Sequence, residues 1–154
     1  MALVATVAVA DLTTMSGPWI QAYSDYYVQS SSEIDWKCVG AEIVVHNETL
    51  LTINKHARLH GLLRSNVNSS KNYTVVTTED HRVFLKNGNT TLRTYFPIPD
   101  CIVFISMNNL TLFVMTRDYD QFMMNNNNEA LQFLKEKNMT GVYKAPLVSY
   151  TGNC

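Results

Sequence analysis

Between Trp19 and Arg117 the chain is a succession of short runs rich in β-branched and aromatic residues, each ended by residues that favour turns. WIQAYSDYYV (19–28) leads into a Ser-rich connection. CVGAEIVV (38–45) and TLLTINKHARLHG (49–61) are joined by a tight turn at His46-Asn47-Glu48. After the loop RSNVNSSK come NYTVVTT (72–78), HRVFLK (81–86), NTTLRTYF (89–96), CIVFIS (101–106) and LTLFVMTR (110–117). Asn87-Gly88 is a strong hairpin signal, because both positions tolerate positive φ. Helical periodicity is nearly absent over this stretch. Eight strands in up-and-down order are therefore predicted, and closing the sheet on itself removes both exposed edges. The expected fold class is all-β: an eight-stranded antiparallel up-and-down barrel, whose interior has room for one small ligand.

One helix is predicted after the last strand. Asn125 to Asn128 offer an N-cap, Glu129 suits the positive end of the helix dipole, and ALQFLKEK runs on to a stop at Gly141. Ala130, Leu131 and Leu134 make a narrow apolar stripe, suited to packing outside the barrel. A tail, YKAPLVSYTGNC, ends at Cys154. No repeat or linker divides the chain, so residues 13–154 are read as one domain. The first ten residues, MALVATVAVA, look like the apolar end of a secretory leader, and Ala8-Val9-Ala10 fits a cleavage pattern, but the basic n-region is missing. Residues 1–12 are thus read as a signal-peptide remnant or an N-terminal extension.

Charge excludes some partners. Net charge is -1, with 16% charged residues and no basic run, so nucleic acid is not an expected partner. No apolar stretch is long enough for a membrane span. Sequons occur at Asn47, Asn68, Asn72, Asn89, Asn109 and Asn138, where composition alone gives about two to three. Each falls in a predicted turn or near the end of an element, so a secreted glycoprotein is expected. The three cysteines, Cys38, Cys101 and Cys154, imply one bridge with a leftover thiol, or an intermolecular bridge. Homodimers and hetero-oligomers are both compatible with that count.

No catalytic constellation stands out, and the chain is not read as an enzyme. Cys101 with one of the four histidines is weighed and set aside in favour of a structural cysteine. His56 and His60 share a strand face but lie about 13 Å apart in extended chain, too far for one metal ion. No metal site is expected.

The short stretch Gly17-Pro18-Trp19 opens the first strand. Its indole could serve core packing or plug one end of a barrel. Gly-x-Trp here, eight strands, Arg117 after the eighth, a helix and a terminal cysteine together resemble the lipocalin family over roughly residues 13–154. The resemblance implies that Trp19 closes the base of the barrel with Arg117 packed across it. It also implies, by similarity to apolipoprotein D, bilin-binding proteins and crustacyanins, a Cys38–Cys154 disulfide. Departures are plain. Only Pro99-Asp100-Cys101 stands where a T-D-x-x-Y-like motif is usual, and no cysteine precedes Trp19. In tick histamine-binding proteins, also similar, the counterpart of Cys101 pairs with a helix-start cysteine, but this chain has Asn125 to Asn128 there. Cys101 thus lacks a partner under either template.

Strand alternation from Trp19 puts Gln21, Tyr23, Asp25 and Tyr27 inside, and counting back from Arg117 adds Met115, Phe113 and Thr111. Asp25 is read first as the start of a loop, and second as a cavity carboxylate for an amine. The resemblance implies a secreted carrier of a small hydrophobic or amphipathic molecule: a tetrapyrrole, carotenoid, sterol, fatty acid or eicosanoid. No cofactor is required, though a bound pigment or lipid is compatible. The competing readings are a scavenger of biogenic amines or lipid mediators, and a secreted effector acting through its loops.

Overall fold

The computed structural model describes residues 12–59, 65–150 and 154. Among them the strands are β1 (Gly17–Ser24), β2 (Trp36–Asn47), β3 (Leu50–Leu59), β4 (Asn66–Thr77), β5 (Val83–Asn87), β6 (Thr90–Tyr95), β7 (Cys101–Ser106), β8 (Leu112–Thr116) and a short β9 (Leu147–Val148). Each of β2 to β7 pairs with both of its chain neighbours, and β8 pairs with β7. β1 pairs with β2 on one side (Trp19 opposite Ala41) and β8 on the other (Ile20 opposite Thr116), closing an antiparallel eight-stranded barrel. β9 adds to β1 from outside the ring. Helix α1 (Tyr26–Ser30) follows β1; α2 (Tyr119–Gln121) runs through a π-helical turn (Phe122–Asn126) into α3 (Asn127–Glu136). No helix among the described residues is long and apolar enough to cross a membrane.

Two apolar clusters share the wall. Inside the barrel lie Trp19, Ala41, Ile43, Leu51, Ile53, Val75, Leu85, Leu92, Ile102, Phe104 and Met115. Outside, beneath the C-terminal helix, lie Ala22, Tyr23, Cys101, Val103, Ile105, Val114, Phe122, Ala130 and Leu134. β7 belongs to both, with Ile102 and Phe104 facing in and Cys101, Val103 and Ile105 facing the helix. That is why CIVFI reads as an unbroken apolar run rather than an alternation. Cys101 is a free thiol, 2% exposed, with its pKa pushed by burial to about 12. A thiol so placed is out of reach of an intermolecular bridge.

The base of the barrel is closed by three groups. The Arg117 guanidinium lies 3.8 Å from the centre of the Trp19 ring system. It also donates to the carbonyls of Pro18 (2.7 Å), Thr14 (2.7 Å) and Ser16 (2.6 Å). Trp19 Nε1 donates to the Met15 carbonyl at 2.8 Å. Gly17 has φ 107°, and a Cβ there would stand 3.0 Å from Arg117 Nη1. Glycine is required by both backbone and neighbour. Cys38 is bonded to Cys154, spanning 116 residues of sequence.

Several boundaries differ from the sequence reading. β1 ends at Ser24 rather than near Val28, because the Asp25 side chain accepts from Val28 N–H at 3.0 Å and starts α1. β4 begins at Asn66, so Asn68 lies near the start of a strand rather than in a loop, and Asn72 lies mid-strand. The C-terminal helix starts at Tyr119, capped by Asp118 rather than by Asn125 to Asn128. It ends at Glu136, not at Gly141: Asn138, just past the cap, has φ 62°, which lets Met139 N–H reach the Leu134 carbonyl. His60 and residues 1–11, which carry the leader motif, lie outside the described residues.

Arg117→Met keeps side-chain length and removes the stack and the three bonds to carbonyls. Urea unfolding should show a loss of about 2–4 kcal/mol. A loss below about 1 kcal/mol would mean that the base closes without the guanidinium.

Candidate ligand cavity

The barrel interior above Trp19 is filled by the apolar cluster, and a cavity of about 140 Å³ remains toward the other end. Ile53, Tyr73, Leu92, Phe104, Phe113 and Met115 form its apolar wall; Ser32, Glu33, Trp36, Lys55, Ser69 and Lys71 complete it. Ser32 and Glu33 arrive from the β1–β2 connection, which folds over the mouth after α1. The volume is close to that of an apolar cavity, roughly 150 Å³, that accepts benzene.

A buried polar cluster sits on one side. Lys55 Nζ lies 2.6 Å from Glu33 Oε2 and donates to Gln21 Oε1 at 2.8 Å. Gln21 Nε2 donates to Glu33 Oε1 at 2.8 Å and to Ser149 Oγ at 3.2 Å. Ser149 and Ser24 hydroxyls meet at 2.8 Å, and Gln29 donates to Ser24 Oγ at 2.9 Å. The Lys55 ammonium also rests 3.2 Å from the centre of the Phe113 ring. Burial pulls the Lys55 pKa down to about 8, against the opposing pull of Glu33. Tyr73 is raised to about 12 by burial, so its phenol stays a neutral donor. Lys71, at the rim, has no ion-pair partner among the described residues. No group of three or more metal-ligating side chains occurs among those residues.

The inward assignments divide. Phe113 and Met115 line the cavity. Gln21 points inward but sits behind Lys55 and Glu33, joined to both. Tyr23 does not line it. A bulge in the β1–β8 register between Gln21 and Tyr23 reverses the alternation, and the ring goes outside against Phe122, its hydroxyl 2.5 Å from Asn127 Oδ1. Asp25 is buried as the α1 cap, and Tyr27 is 47% exposed on that helix; neither reaches the cavity. Thr111 precedes β8 and its N–H binds Ser106 Oγ at 3.0 Å. The sequence reading missed Glu33, Trp36, Lys55, Lys71 and Tyr73. For Lys55 a signal existed: Leu51, Ile53, Lys55 and Ala57 share one strand face, so a lysine stood in an apolar row.

Of the sequons, Asn47, Asn68, Asn72, Asn89 and Asn138 are exposed, while Asn109 is half-buried and bonded to Arg93.

No family model matches the chain, and no curated protein matches its sequence. Solved structures do match. Ex-FABP, a siderocalin that functions through dual ligand specificities, superposes with a TM-score of 0.62 at 13% identity, over 90% of this chain and 96% of that one. Lobster apocrustacyanin A1 gives 0.60 at 12% identity, over 99% and 86%. Japanin from Rhipicephalus appendiculatus, bound to cholesterol, gives 0.57 at 7% identity, over 90% and 95%. At such identities the likeness establishes the fold: the chain is a lipocalin-type barrel.

The Asp25 carboxyl is raised to about 6, first by burial and in smaller part by Glu33, while the Val28 N–H opposes. Its Oδ2 has no partner among the described residues. A folded pKa above the unfolded 3.8 means that the folded state holds the proton more tightly. Stability from this group is full below the unfolded value and is lost as pH rises through 6, by roughly 3 kcal/mol. Asn at 25 keeps a capping oxygen without the charge. Urea titrations at pH 4.5 and 7 should show the parent weakening with pH and Asp25→Asn holding steady; equal slopes would remove Asp25 as the cause.

Proposed function

We propose that this lipocalin-type barrel is a secreted binder of a small amphipathic molecule, held non-covalently with its apolar part against Phe104, Leu92 and Tyr73 and an acidic or neutral head at the Lys55–Lys71 wall. The observation that carries the reading is the charge of the lining: two lysines face one carboxylate, and Glu33 is already bridged to Lys55. An amine would have to displace that lysine, which weighs against the amine-scavenger alternative. The cavity of about 140 Å³ favours a chain entering end-on, as in a fatty acid or eicosanoid, over a tetrapyrrole, carotenoid or sterol. Extracellular residence is supported by the Cys38–Cys154 bond and the exposed sequons. The effector reading has one observation in its favour: Tyr26, Tyr27 and Ile34 expose large apolar groups along the β1–β2 connection.

Dodecanoate, dodecanol and dodecylamine, titrated against the fluorescence of Trp36, separate these readings. The acid should bind best, and Lys71→Glu should weaken it about tenfold. Tighter binding of the amine would overturn the acidic-head assignment. Failure of all three would end the carrier reading.

A further inference from the structure

Lys55 offers a primary amine to the cavity while being only 13% exposed, and Glu33 beside it is 5% exposed. Condensation of an amine with an aldehyde needs a nitrogen that can release its proton, a base to take that proton and return it, and little bulk water to reverse the reaction. Those needs meet at one point. Glu33 Oε2 is 2.6 Å from Nζ, the Gln21 carbonyl oxygen 2.8 Å away steadies the amine, and the Phe113 ring at 3.2 Å covers it. Lys55 and Lys71 are the two amines in the cavity lining, and of these Lys55 is the one withdrawn from solvent.

We infer that Lys55 is a covalent capture site, forming a reversible imine with a small aldehyde in the cavity, with Glu33 as proton carrier and then as counterion. This rests on the cavity reading above. The step balances. The Lys55 ammonium gives one proton to Glu33, and the freed nitrogen bonds to the carbonyl carbon. A proton moves from nitrogen to the former carbonyl oxygen, giving a carbinolamine. Glu33 protonates that hydroxyl, the C–O bond breaks, and water leaves. The product is a protonated imine paired with the Glu33 carboxylate; no oxidant or reductant takes part. A lysine pKa near 8 leaves far more free amine at neutral pH than an ordinary lysine has.

The test treats the full chain at pH 7 with benzaldehyde and cyanoborohydride, which fixes imines as benzylamines, and maps the marked lysines by peptide mass spectrometry. Benzyl alcohol, which cannot condense, is measured in parallel by ligand-observed NMR. Lys55 should be marked on the order of tenfold faster than any of the other six lysines, with excess benzyl alcohol slowing its marking alone. Lys55→Arg should abolish the preferred mark, and Glu33→Gln should slow marking at Lys55 without changing it elsewhere. If Glu33→Gln does not fold, the parent's site preference and the protection by benzyl alcohol still decide. Marks spread evenly while benzyl alcohol still binds would overturn the covalent site and leave the cavity reading intact. No binding of benzyl alcohol together with no preference for Lys55 would overturn both.

Discussion

The contact between Arg117 and Trp19 joins the two ends of the sheet. Trp19 stands near the start of β1, Arg117 just past the end of β8, and a barrel closes only if these ends meet. The guanidinium presents its face to the indole and its edge to three backbone carbonyls, which a planar cation with fixed N–H directions can do and a lysine cannot. Those carbonyls belong to Thr14, Ser16 and Pro18, so the same cation ties down the segment leading into the barrel. The left-handed turn at Gly17 aims that segment across the base. With the base sealed, space can remain only toward the opposite mouth.

A bulge in β1 then decides what faces that space. Were the strand regular, Tyr23 would project into the lumen and fill it. The register shift past Gln21 instead sends Tyr23 to the outer wall, where it meets Phe122 and Asn127. One irregularity thus anchors the helix outside and leaves room inside. It also brings Ser24 to Ser149, linking the tail to the buried polar cluster.

Much of this was legible in the sequence, for physical reasons that differ by region. Strand number and order followed from turn chemistry, since signals such as Asn87-Gly88 and the turn at His46-Asn47-Glu48 admit few other conformations. The base followed from Gly17, Trp19 and Arg117 once the resemblance supplied their roles. Parity in β8 held, so Phe113 and Met115 face in. Parity in β1 failed because no residue type signals a bulge at Ala22. The earlier helix start was hidden because Asp118 caps a segment, YDQFMMN, with no clear apolar stripe and with the weak helix formers Tyr, Asp, Phe and Asn making up most of it. Glu33 was the least legible group. It lies in an irregular connection, and only the folding of that connection over the mouth brings it to Lys55.

The Lys55–Glu33 pair constrains what the cavity can hold. A buried ion pair contributes little net stability, but taking away either partner leaves an uncompensated charge in a dry place. An acidic ligand competing for Lys55 would strand Glu33, so its head is better matched to Lys71 at the rim, where water still screens the charge. An uncharged carbonyl suffers no such penalty. It can approach Nζ while the pair stays intact, and the iminium that results keeps the positive charge where the ammonium had it. The same buried carboxylate that discourages an acid from going deep therefore favours an aldehyde there, and the two proposed occupants differ in depth within one cavity.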